Sequence, residues 1–365
     1  MKILVLNCGS SSLKYQVFDM NKKISIQKWN IEKIVDYKKA IQEVIKNLNT
    51  KIGAIWHRVV HGWEEFSQPT IINNKVIKQI ESCIPLAPLH NPANITGIKI
   101  CKKLMPNVPQ VAIFDTAFYQ SMNIENFLYP IPYKYYEKDK VRKYGFHGTS
   151  HDYVTHKACK NLWKKYATQN IISCHIWNWA SITAIKKWRI FKTSMWMTPL
   201  DGVMMWTRSG SIDPSIVWYL HKQEHLDIAQ VEEILNKKSW LLWVSEKSGD
   251  MREILKWIEQ WNEKCKIAYN MFINRIIKYI WAYMTLMWWV DLIVFTAWIL
   301  ENRPSIRKDI IKRLKFMGAK IDDKNNKAIW EMKVISTKDS TITVMLVPTN
   351  EEYMIAKHTY KLIKE

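Results

Sequence analysis

Two charged residues stand near the ends of apolar runs that predict buried strands. Arg58 lies in the run IGAIWHRVVHG, and Asp115 follows VPQVAIF. In α/β proteins, catalytic carboxylates occur at the ends of such strands, although Asp115 could equally be a helix N-cap. The planar fork of Arg58 suits a phosphate or carboxylate oxygen pair. Arg58 therefore predicts a contact with an anion, and Asp115 predicts either a catalytic carboxylate or a helix cap.

Two polar turns lie between apolar runs and predict β-hairpins. NCGSSS (7–12) offers successive N–H groups and hydroxyls, which can cradle a phosphate or can form a plain turn. The second, HIWNWASITAI (175–185), has Trp177 and Trp179 on either side of Asn178. Turns of this kind normally carry glycine because one or more positions need φ > 0.

Two histidine pairs have spacings that resemble metal sites, but their surroundings disfavour a metal. His57 and His61 flank the cationic Arg58. HGTSH (147–151) has the spacing of a zinc pair but lacks the glutamate of HExxH and a nearby third ligand. The same segment opens a predicted helix, with Thr149 or Ser150 as the expected N-cap.

Composition excludes several other classes of protein. The formal net charge is +21, but the lysines are scattered as isolated pairs, so we expect no nucleic-acid partner. Six separated cysteines without a CxxC motif predict reduced thiols and a cytoplasmic protein. Asp291 interrupts the apolar stretch 279–300, which favours a helix followed by a core strand over a membrane span.

Strands and helices alternate in two similar passes, each opened by a hairpin. This pattern predicts an α/β protein with an internal duplication, and 365 residues suggest two domains. The predicted strands are 2–7, 13–20, 52–62, 108–118, 170–176, 180–186, 290–297 and 341–350. The predicted helices are 33–49, 71–84, 94–104, 214–222, 227–237, 250–285, one after Pro304, and 351–364.

Eight sequence blocks occur in the order and spacing of one family: NCGSSSLKYQVFD, HRVVHG, APLHNPAN, FDTAF, RKYGFHGTSH, TPLDGVMM, TRSGSIDP and PTNEE. From residue 1 to about 360 the chain resembles the acetate kinases. The resemblance implies two duplicated ribonuclease H-like domains of the acetate and sugar kinase, heat-shock chaperone and actin superfamily. The N-terminal domain would comprise 1–147 and 352–365, with the C-terminal helix packed back on it, and the nucleotide-binding and dimerisation domain 148–351.

The resemblance also implies a reaction: a cytoplasmic homodimer would transfer a phosphoryl group reversibly from ATP to acetate, with Mg²⁺ or Mn²⁺. Such chemistry needs alignment and charge neutralisation rather than covalent catalysis. The implied catalytic residues are Arg58, Asp115, His147 and Arg208, and the implied metal ligands are Asn7 and Glu351. Acetate would contact Arg58, Val60, Leu89, Phe146 and Pro199. The nucleotide and its phosphates would contact Ser10, Ser12, Lys14, His175, Trp177, Asn178, Trp179, Asp250, Met251, Arg252, Trp298, Ile299 and Asn302.

Glycine and tryptophan counts are both unusual. The chain has 10 glycines and 19 tryptophans, whereas average usage predicts roughly 26 glycines. By resemblance, glycine belongs at Trp56, Trp63, Trp177, Trp179, Trp196, Trp206, Trp240, Trp243, Trp281, Trp288, Trp289 and Trp298, and on weaker anchors at Trp188, Trp261 and Trp330. Trp29, Trp163, Trp218 and Trp257 have no anchor. Either UGA codons read as glycine in the source were translated as tryptophan, or the indoles are real and crowd the phosphate loops. Leu300 also replaces a family glycine, and the codon explanation does not cover it.

Three rival functions remain open. The first is a short-chain acyl kinase that uses propionate or butyrate. The second is a nucleotide-binding protein of the same fold without catalysis, and the third is a basic nucleic-acid binder. The sequence contains neither a Walker A motif nor a protein-kinase signature, which argues against those two kinase classes.

Overall fold

Two six-stranded sheets with the same strand order form the frame of the molecule. The structure is a computed structural model that describes residues 1–8, 12–32, 34, 36–88 and 90–364. These residues pack into two compact units. The first comprises Met1–Gln120, Phe146–Tyr153 and Asn350–Glu365, and the second comprises Ser121–Gly145 and Val154–Thr349. The assignment of 1–147 and 352–365 to an N-terminal domain, and of 148–351 to a nucleotide-binding and dimerisation domain, stays a prediction.

The first sheet contains β1 (Lys2–Cys8), β2 (Ser12–Asp19), β3 (Ile24–Glu32), β4 (Ala54–Val59), β5 (Thr70–Ile71) and β6 (Gln110–Phe114). Its order is β3-β2-β1-β4-β6-β5. The first three strands form an antiparallel meander, β4 and β6 run parallel to β1, and β5 is an antiparallel edge strand. The carboxyl ends of β1, β4 and β6 therefore lie along one edge.

The second sheet contains β7 (Asn170–Ile176), β8 (Ala180–Lys186), β9 (Arg189–Thr193), β10 (Leu292–Thr296), β11 (Lys333–Val334) and β12 (Thr343–Leu346). Its order is β9-β8-β7-β10-β12-β11, with the same pattern of parallel and antiparallel pairs as the first sheet. The predicted α/β fold with an internal duplication is confirmed.

Fourteen α-helices connect and cover the strands of the described part of the chain. They are α1 (Tyr37–Lys46), α2 (Asn74–Ser82), α3 (Asn91–Leu104), α4 (Ile124–Phe127), α5 (Lys134–Asp139), α6 (Gly148–Asn161), α7 (Ser215–Gln223), α8 (Ile228–Lys237), α9 (Leu241–Ser245), α10 (Met251–Glu259), α11 (Glu263–Met287), α12 (Trp298–Asn302), α13 (Pro304–Arg313) and α14 (Glu351–Lys364). None of the helices in the described ranges is both long and apolar enough to cross a bilayer.

The side-chain alternation of β1 explains why helices cover both faces of the first sheet. Leu4 and Leu6 are buried in a cluster that includes residues of α1 and α3. Ile3 and Val5 point to the opposite face, where they share a cluster with Ala356 of α14. The C-terminal helix thus packs on the first sheet.

Two local expectations from the sequence are wrong. The helix predicted over 250–285 is two helices, α10 and α11, separated by a turn at Trp261. Helix α6 begins at Gly148, so Thr149 and Ser150 lie inside its first turn rather than at the N-cap.

Half of the non-glycine residues with a left-handed backbone are tryptophans. Fourteen such residues occur in the described ranges. The tryptophans among them are Trp63, Trp163, Trp188, Trp240, Trp261, Trp288 and Trp330. The predicted turn at Trp177–Trp179 is not among them, so the expectation that this turn needs φ > 0 is wrong.

Candidate functional site

Arg58 and Asp115 form the best-defined polar contact at the carboxyl edge of the first sheet. Nε and Nη2 of Arg58 donate to Oδ1 and Oδ2 of Asp115 over 3.0 and 2.6 Å. The Arg58 side chain is 17% exposed and that of Asp115 is 2% exposed. Burial alone would lower the pKa of the guanidinium, but the charge and hydrogen bonds of Asp115 raise it, so Arg58 stays a cation. Its Nη1 group takes no part in these two bonds and can face a substrate oxygen.

Glu351 begins α14 and lies in the field of the same charged pair. Burial, together with the nearby carboxylates of Glu352 and Asp115, raises the pKa of Glu351 to about 7. Arg58 and Lys14 act in the opposite direction. A carboxyl group with a pKa near neutrality in a cluster of charges is typical of a functional site.

His147 is positioned by a backbone that requires glycine beside it. Its φ is +58°, and the next residue, Gly148, donates its N–H to the carbonyl of Asp115 over 3.2 Å. A Cβ at Gly148 would lie 2.2 Å from that carbonyl oxygen. The start of α6 therefore packs directly against the backbone of Asp115, and His147 as a whole is 5% exposed.

The residues expected to contact acetate are distributed over both units. Val60 and Phe146 are buried in the first unit, and the ring of Phe146 lies 5.9 Å from that of His61. Pro199 is buried in the second unit. Leu89 lies outside the described residues, as does Ser10 of the expected phosphate turn.

The second hairpin brings polar groups to the end of β7. His175 is nearly buried at the end of this strand, and Asn178 lies in the turn between β7 and β8. The carbonyl of Asn178 accepts the N–H of Trp206 over 3.1 Å, which fixes the turn against the segment that follows TPLDGVMM.

One cavity of about 220 Å³ in the second unit collects most of the expected nucleotide contacts. Those that line it are Trp177, Asn178, Asp250, Met251, Arg252, Trp298 and Ile299. Drug-sized ligands usually occupy pockets of roughly 300–1,000 Å³, so the cavity is small for a nucleotide. Four indoles contribute to its wall, those of Trp177, Trp206, Trp240 and Trp298. A Cβ at Gly249 would lie only 1.6 Å from Nε1 of Trp206, so this indole lies directly on the glycine.

Arg208 is buried beside the same hairpin. Its guanidinium lies 4.0 Å from the ring centroid of Trp179, and Nη1 donates to the carbonyl of Pro199 over 3.4 Å. Burial lowers the pKa of Arg208 to about 10. At neutral pH this leaves a desolvated cation, which would attract a phosphate oxygen strongly.

The remaining expected contacts lie away from the cavity lining. Asn302 ends α12 and donates Nδ2 to the carbonyl of Trp298. In the first unit, Lys14 of β2 pairs in register with Asn7 of β1, and Ser12 begins β2. Leu300 is fully buried and its side chain does not line the cavity.

The structure adds two asparagines that the sequence interpretation did not single out. Asn94 donates to the carbonyl of Cys8 and accepts from the N–H of Val60, so it joins the ends of β1 and β4. Asn91 accepts from the N–H of His61 and donates to its carbonyl. Their presence in the block APLHNPAN was a signal, since buried amides at a helix start usually satisfy nearby backbone groups.

A metal has suitable donors here. No group of three or more His, Cys, Asp or Glu side chains in the described ranges is close enough together to hold a metal alone. Asn7 and Glu351 offer amide and carboxylate oxygens, which Mg²⁺ prefers, and Mg²⁺ commonly uses one or two carboxylates together with substrate phosphates. The donor chemistry fits a magnesium that arrives with a nucleotide.

A duplicated α/β fold that carries buried arginines, a histidine and carboxylates has the groups that a phosphotransferase needs. Comparison with known proteins agrees: the model of the acetokinase family matches residues 28–357. The chain is 46% identical to an acetate kinase of Carboxydothermus hydrogenoformans over 100% of this chain and 99% of that one. It also superposes on the crystal structure of Porphyromonas gingivalis acetate kinase with a TM-score of 0.94 and 40% identity, covering 99% of each chain. A propionate kinase from Francisella tularensis gives a TM-score of 0.92 and 39% identity over 98% of each chain. This chain belongs to the acetokinase family.

Proposed function

We propose that this chain transfers a phosphoryl group reversibly between ATP and acetate by a Mg²⁺-dependent in-line reaction, giving ADP and acetyl phosphate. The observation that carries the residue assignment is the bidentate Arg58–Asp115 pair at the carboxyl edge of the first sheet. It holds a guanidinium rigidly where an incoming anion can meet Nη1.

Each charged residue would perform a separate task. Arg58 would orient the acetate carboxylate or the phosphoryl oxygens through Nη1 while Asp115 fixes the plane of its fork. Arg208 would neutralise charge that develops on the equatorial oxygens, and its burial would make that charge more effective. His147 would donate a hydrogen bond to the same oxygens from its fixed place before α6.

Asn7 and Glu351 would hold the metal, which when bound would neutralise phosphate charge. The carboxylate form of Glu351 is needed for this role, and its raised pKa places the change of charge near neutral pH. Mn²⁺ could replace Mg²⁺ because both accept oxygen donors.

The nucleotide would bind in the cavity of the second unit. Asp250 caps α10 and pairs with Arg252 through Nε over 2.8 Å, which fixes this part of the wall. His175 at the end of β7 and Asn178 in the turn would face the phosphates. The family resemblance would place Ser10, Ser12 and Lys14 near the phosphoryl path.

Propionate or butyrate is the alternative substrate, because a relative of similar identity carries the name propionate kinase. One methylene in an apolar pocket changes discrimination by only about 1–3 kcal/mol, so Val60 and Phe146 do not decide it.

We also expect a cytoplasmic homodimer with the interface on the second unit. The six cysteines are all buried free thiols, which suits a reducing compartment. Light scattering at several protein concentrations tests the oligomeric state.

Trapping acetyl phosphate with hydroxylamine tests the proposed activity. The protein isolated from its source cells should form acetyl hydroxamate only when ATP, acetate and Mg²⁺ are all present. Competition among acetate, propionate and butyrate should give the largest kcat/KM for acetate. ATP binding without any hydroxamate would support the non-catalytic alternative instead.

A further inference from the structure

We propose that the functional polypeptide carries glycine at the seven tryptophan positions with a left-handed backbone. Their φ angles lie between 20° and 71°. A bulky side chain is rarely found there because its Cβ meets the neighbouring carbonyl, whereas glycine pays no such cost. The positions are Trp63, Trp163, Trp188, Trp240, Trp261, Trp288 and Trp330.

Two of these residues occupy the glycine position of a helix-ending motif. After α6, the N–H of Lys164 donates to the carbonyl of Cys159, and that of Trp163 donates to Lys160. After α10, the N–H of Asn262 donates to Trp257 and that of Trp261 donates to Ile258. This pair of bonds defines the Schellman motif, whose left-handed residue is usually glycine.

Burial gives no reason for an indole at these helix ends. Trp163 is 96% exposed, Trp261 is 87% exposed and Trp288, which follows α11, is 90% exposed. A tryptophan normally offsets its conformational cost by burying its large apolar surface. These three side chains bury almost none, so only the backbone conformation constrains the residue type.

Trp188 stands in a tight hairpin that also favours glycine. Lys186 of β8 pairs with Arg189 of β9, which leaves a two-residue loop. Both loop residues, Lys187 and Trp188, have positive φ. Two-residue hairpin loops with positive φ at both positions strongly prefer glycine at the second.

Trp240 combines the same backbone with an unfavourable buried side chain. Its φ and ψ are 68° and −134°, close to a region that essentially only glycine occupies. It is 3% exposed, and its Nε1 has no hydrogen-bond partner among the described residues. The indole also lines the cavity of the second unit, so glycine there would widen the site. This last consequence rests on the proposed function.

Reading UGA as glycine would account for all seven exchanges at once. The chain has 19 tryptophans and only 10 glycines, which agrees with tryptophan standing in place of glycine. Peptide mass spectrometry of the protein isolated from its source cells should therefore find glycine at the seven positions. Tryptophan in those peptides, or UGG codons in the gene, would overturn the proposal.

Engineered variants test the same proposal without the source organism. In a host that uses the standard code, replacing all seven tryptophans by glycine should raise the midpoint of thermal unfolding by several degrees or more. The matched control is Trp218→Gly: Trp218 is also exposed, by 61%, but lies inside α7. Glycine there should lower the midpoint because it weakens a helix interior. A seven-position variant no more stable than the original chain would contradict the proposal.

ADP binding tests separately whether residue 240 is glycine and whether the cavity of the second unit binds the nucleotide. Calorimetry should show several-fold tighter ADP binding by Trp240→Gly than by the original chain. If Trp240→Gly raises the unfolding midpoint but leaves the ADP affinity unchanged, glycine at residue 240 is supported and the nucleotide assignment of the cavity is contradicted.

Glu301 has a buried carboxylate and lies in α12 with two residues of the cavity wall, Trp298 and Ile299. From this separate observation we infer that Glu301 is a positioning residue for the nucleotide. Its Oε1 accepts the N–H of Ala297 over 2.7 Å, the hydroxyl of Thr296 over 3.2 Å and the N–H of Thr349 over 3.1 Å. Glu301 is 1% exposed, and its Oε2 has no hydrogen-bond partner within the described ranges. One oxygen thus joins the segments that follow β10 and β12.

The position of Ala297 explains the effect expected on the nucleotide. Ala297 has a φ of +67° and immediately precedes Trp298 and Ile299, which line the cavity. A carboxylate that holds this unusual turn keeps the cavity wall in place without touching a ligand itself. Burial raises the pKa of Glu301, which agrees with its desolvated surroundings.

Kinetics of two variants test this role, which rests on the proposed function. Glu301→Ala should raise KM for ATP about tenfold and leave KM for acetate unchanged, since the turn loses three hydrogen bonds. Glu301→Gln should restore most of the ATP affinity because its amide oxygen can accept the same bonds. Equal changes in both KM values, or none, would contradict the role. If the chain with glycine at the seven positions and Glu301 intact makes no acetyl phosphate, the proposed function fails, and calorimetric ADP binding by the Glu301 variants then decides the role of Glu301.

Discussion

Arg58 has a structural contact with Asp115 beside the substrate-binding role that we propose for it. Its bidentate contact satisfies Asp115, a carboxylate that is almost completely buried and would otherwise be costly to desolvate. The same contact removes the rotational freedom of the guanidinium, so Nη1 is pre-oriented before a substrate arrives. We therefore expect geometry as well as charge to matter at residue 58.

Replacing Arg58 by lysine separates geometry from charge. Arg58→Lys keeps a cation beside Asp115 but loses the fork, so kcat for acetyl phosphate formation should fall by roughly 10²-fold or more. Lys99→Ala is a suitable control, because its pair with Glu81 is largely exposed and should change neither kcat nor stability measurably. Normal turnover by Arg58→Lys would show that the fork is unnecessary.

His57 gives a prediction for stability in acid. Burial lowers its pKa to about 4, although a 2.7 Å hydrogen bond with Gln110 acts in the other direction. The unfolded chain, in which the pKa is near 6.5, binds more protons between these values, so the free energy of unfolding should fall as the pH drops from 6.5 to 4. The total loss from this group is on the order of 3 kcal/mol. The free energy of unfolding, measured by denaturant titration at several pH values, should depend less steeply on pH in His57→Asn. An equally steep pH dependence in this variant would contradict the prediction.

Hairpins and buried strands could be predicted from the sequence because their periodicity is local. The strands predicted at 170–176 and 180–186 match β7 and β8 residue for residue, and 351–364 matches α14. The sequence does not predict the break between α10 and α11, because tryptophan at position 261 is not a helix-end signal, whereas glycine would be.

The candidate site could be predicted only through whole motifs. Arg58 and Asp115 are 57 residues apart, and their contact depends on the parallel pairing of β4 with β6. The role that we infer for Glu301 depends on its hydrogen bond with Thr349, 48 residues away. Hydrophobic periodicity carries no information on such distant contacts, so these partners required the folded structure.

The start of α6 offers a test at the level of one element. Gly148→Ala would place Cβ against the backbone carbonyl of Asp115, which cannot move without shifting the strand end. We expect a loss of about 1–3 kcal/mol in the free energy of unfolding, together with a lower kcat because His147 shifts. Gly53→Ala is the control: its Cβ would meet the flexible Met1 side chain, so its effect should stay within about 0.5 kcal/mol. Equal effects of the two substitutions on chemical denaturation would contradict this account.

The seven left-handed tryptophans matter most for the molecule as a whole. At roughly 1–2 kcal/mol each, their combined backbone strain would approach the net stability of a typical protein, about 5–15 kcal/mol. Three buried indole nitrogens, those of Trp56, Trp63 and Trp240, also lack partners among the described residues. Overexpressing the chain with all 19 tryptophans should therefore give mostly insoluble protein, as sedimentation of the lysate would show, and a largely soluble, active product would contradict this expectation.

Synthesis of ATP from ADP and acetyl phosphate is the most direct test of the central claim. Contaminating ATPases consume ATP, and adenylate kinase makes ATP from ADP alone, so the signal that counts is the ATP that luciferase detects only when acetyl phosphate is present. The protein isolated from its source cells should make ATP in a Mg²⁺-dependent manner at about 1–10³ s⁻¹, and Arg58→Ala should reduce the rate at least 10²-fold. Tight ADP binding with no ATP formed from acetyl phosphate would contradict the account.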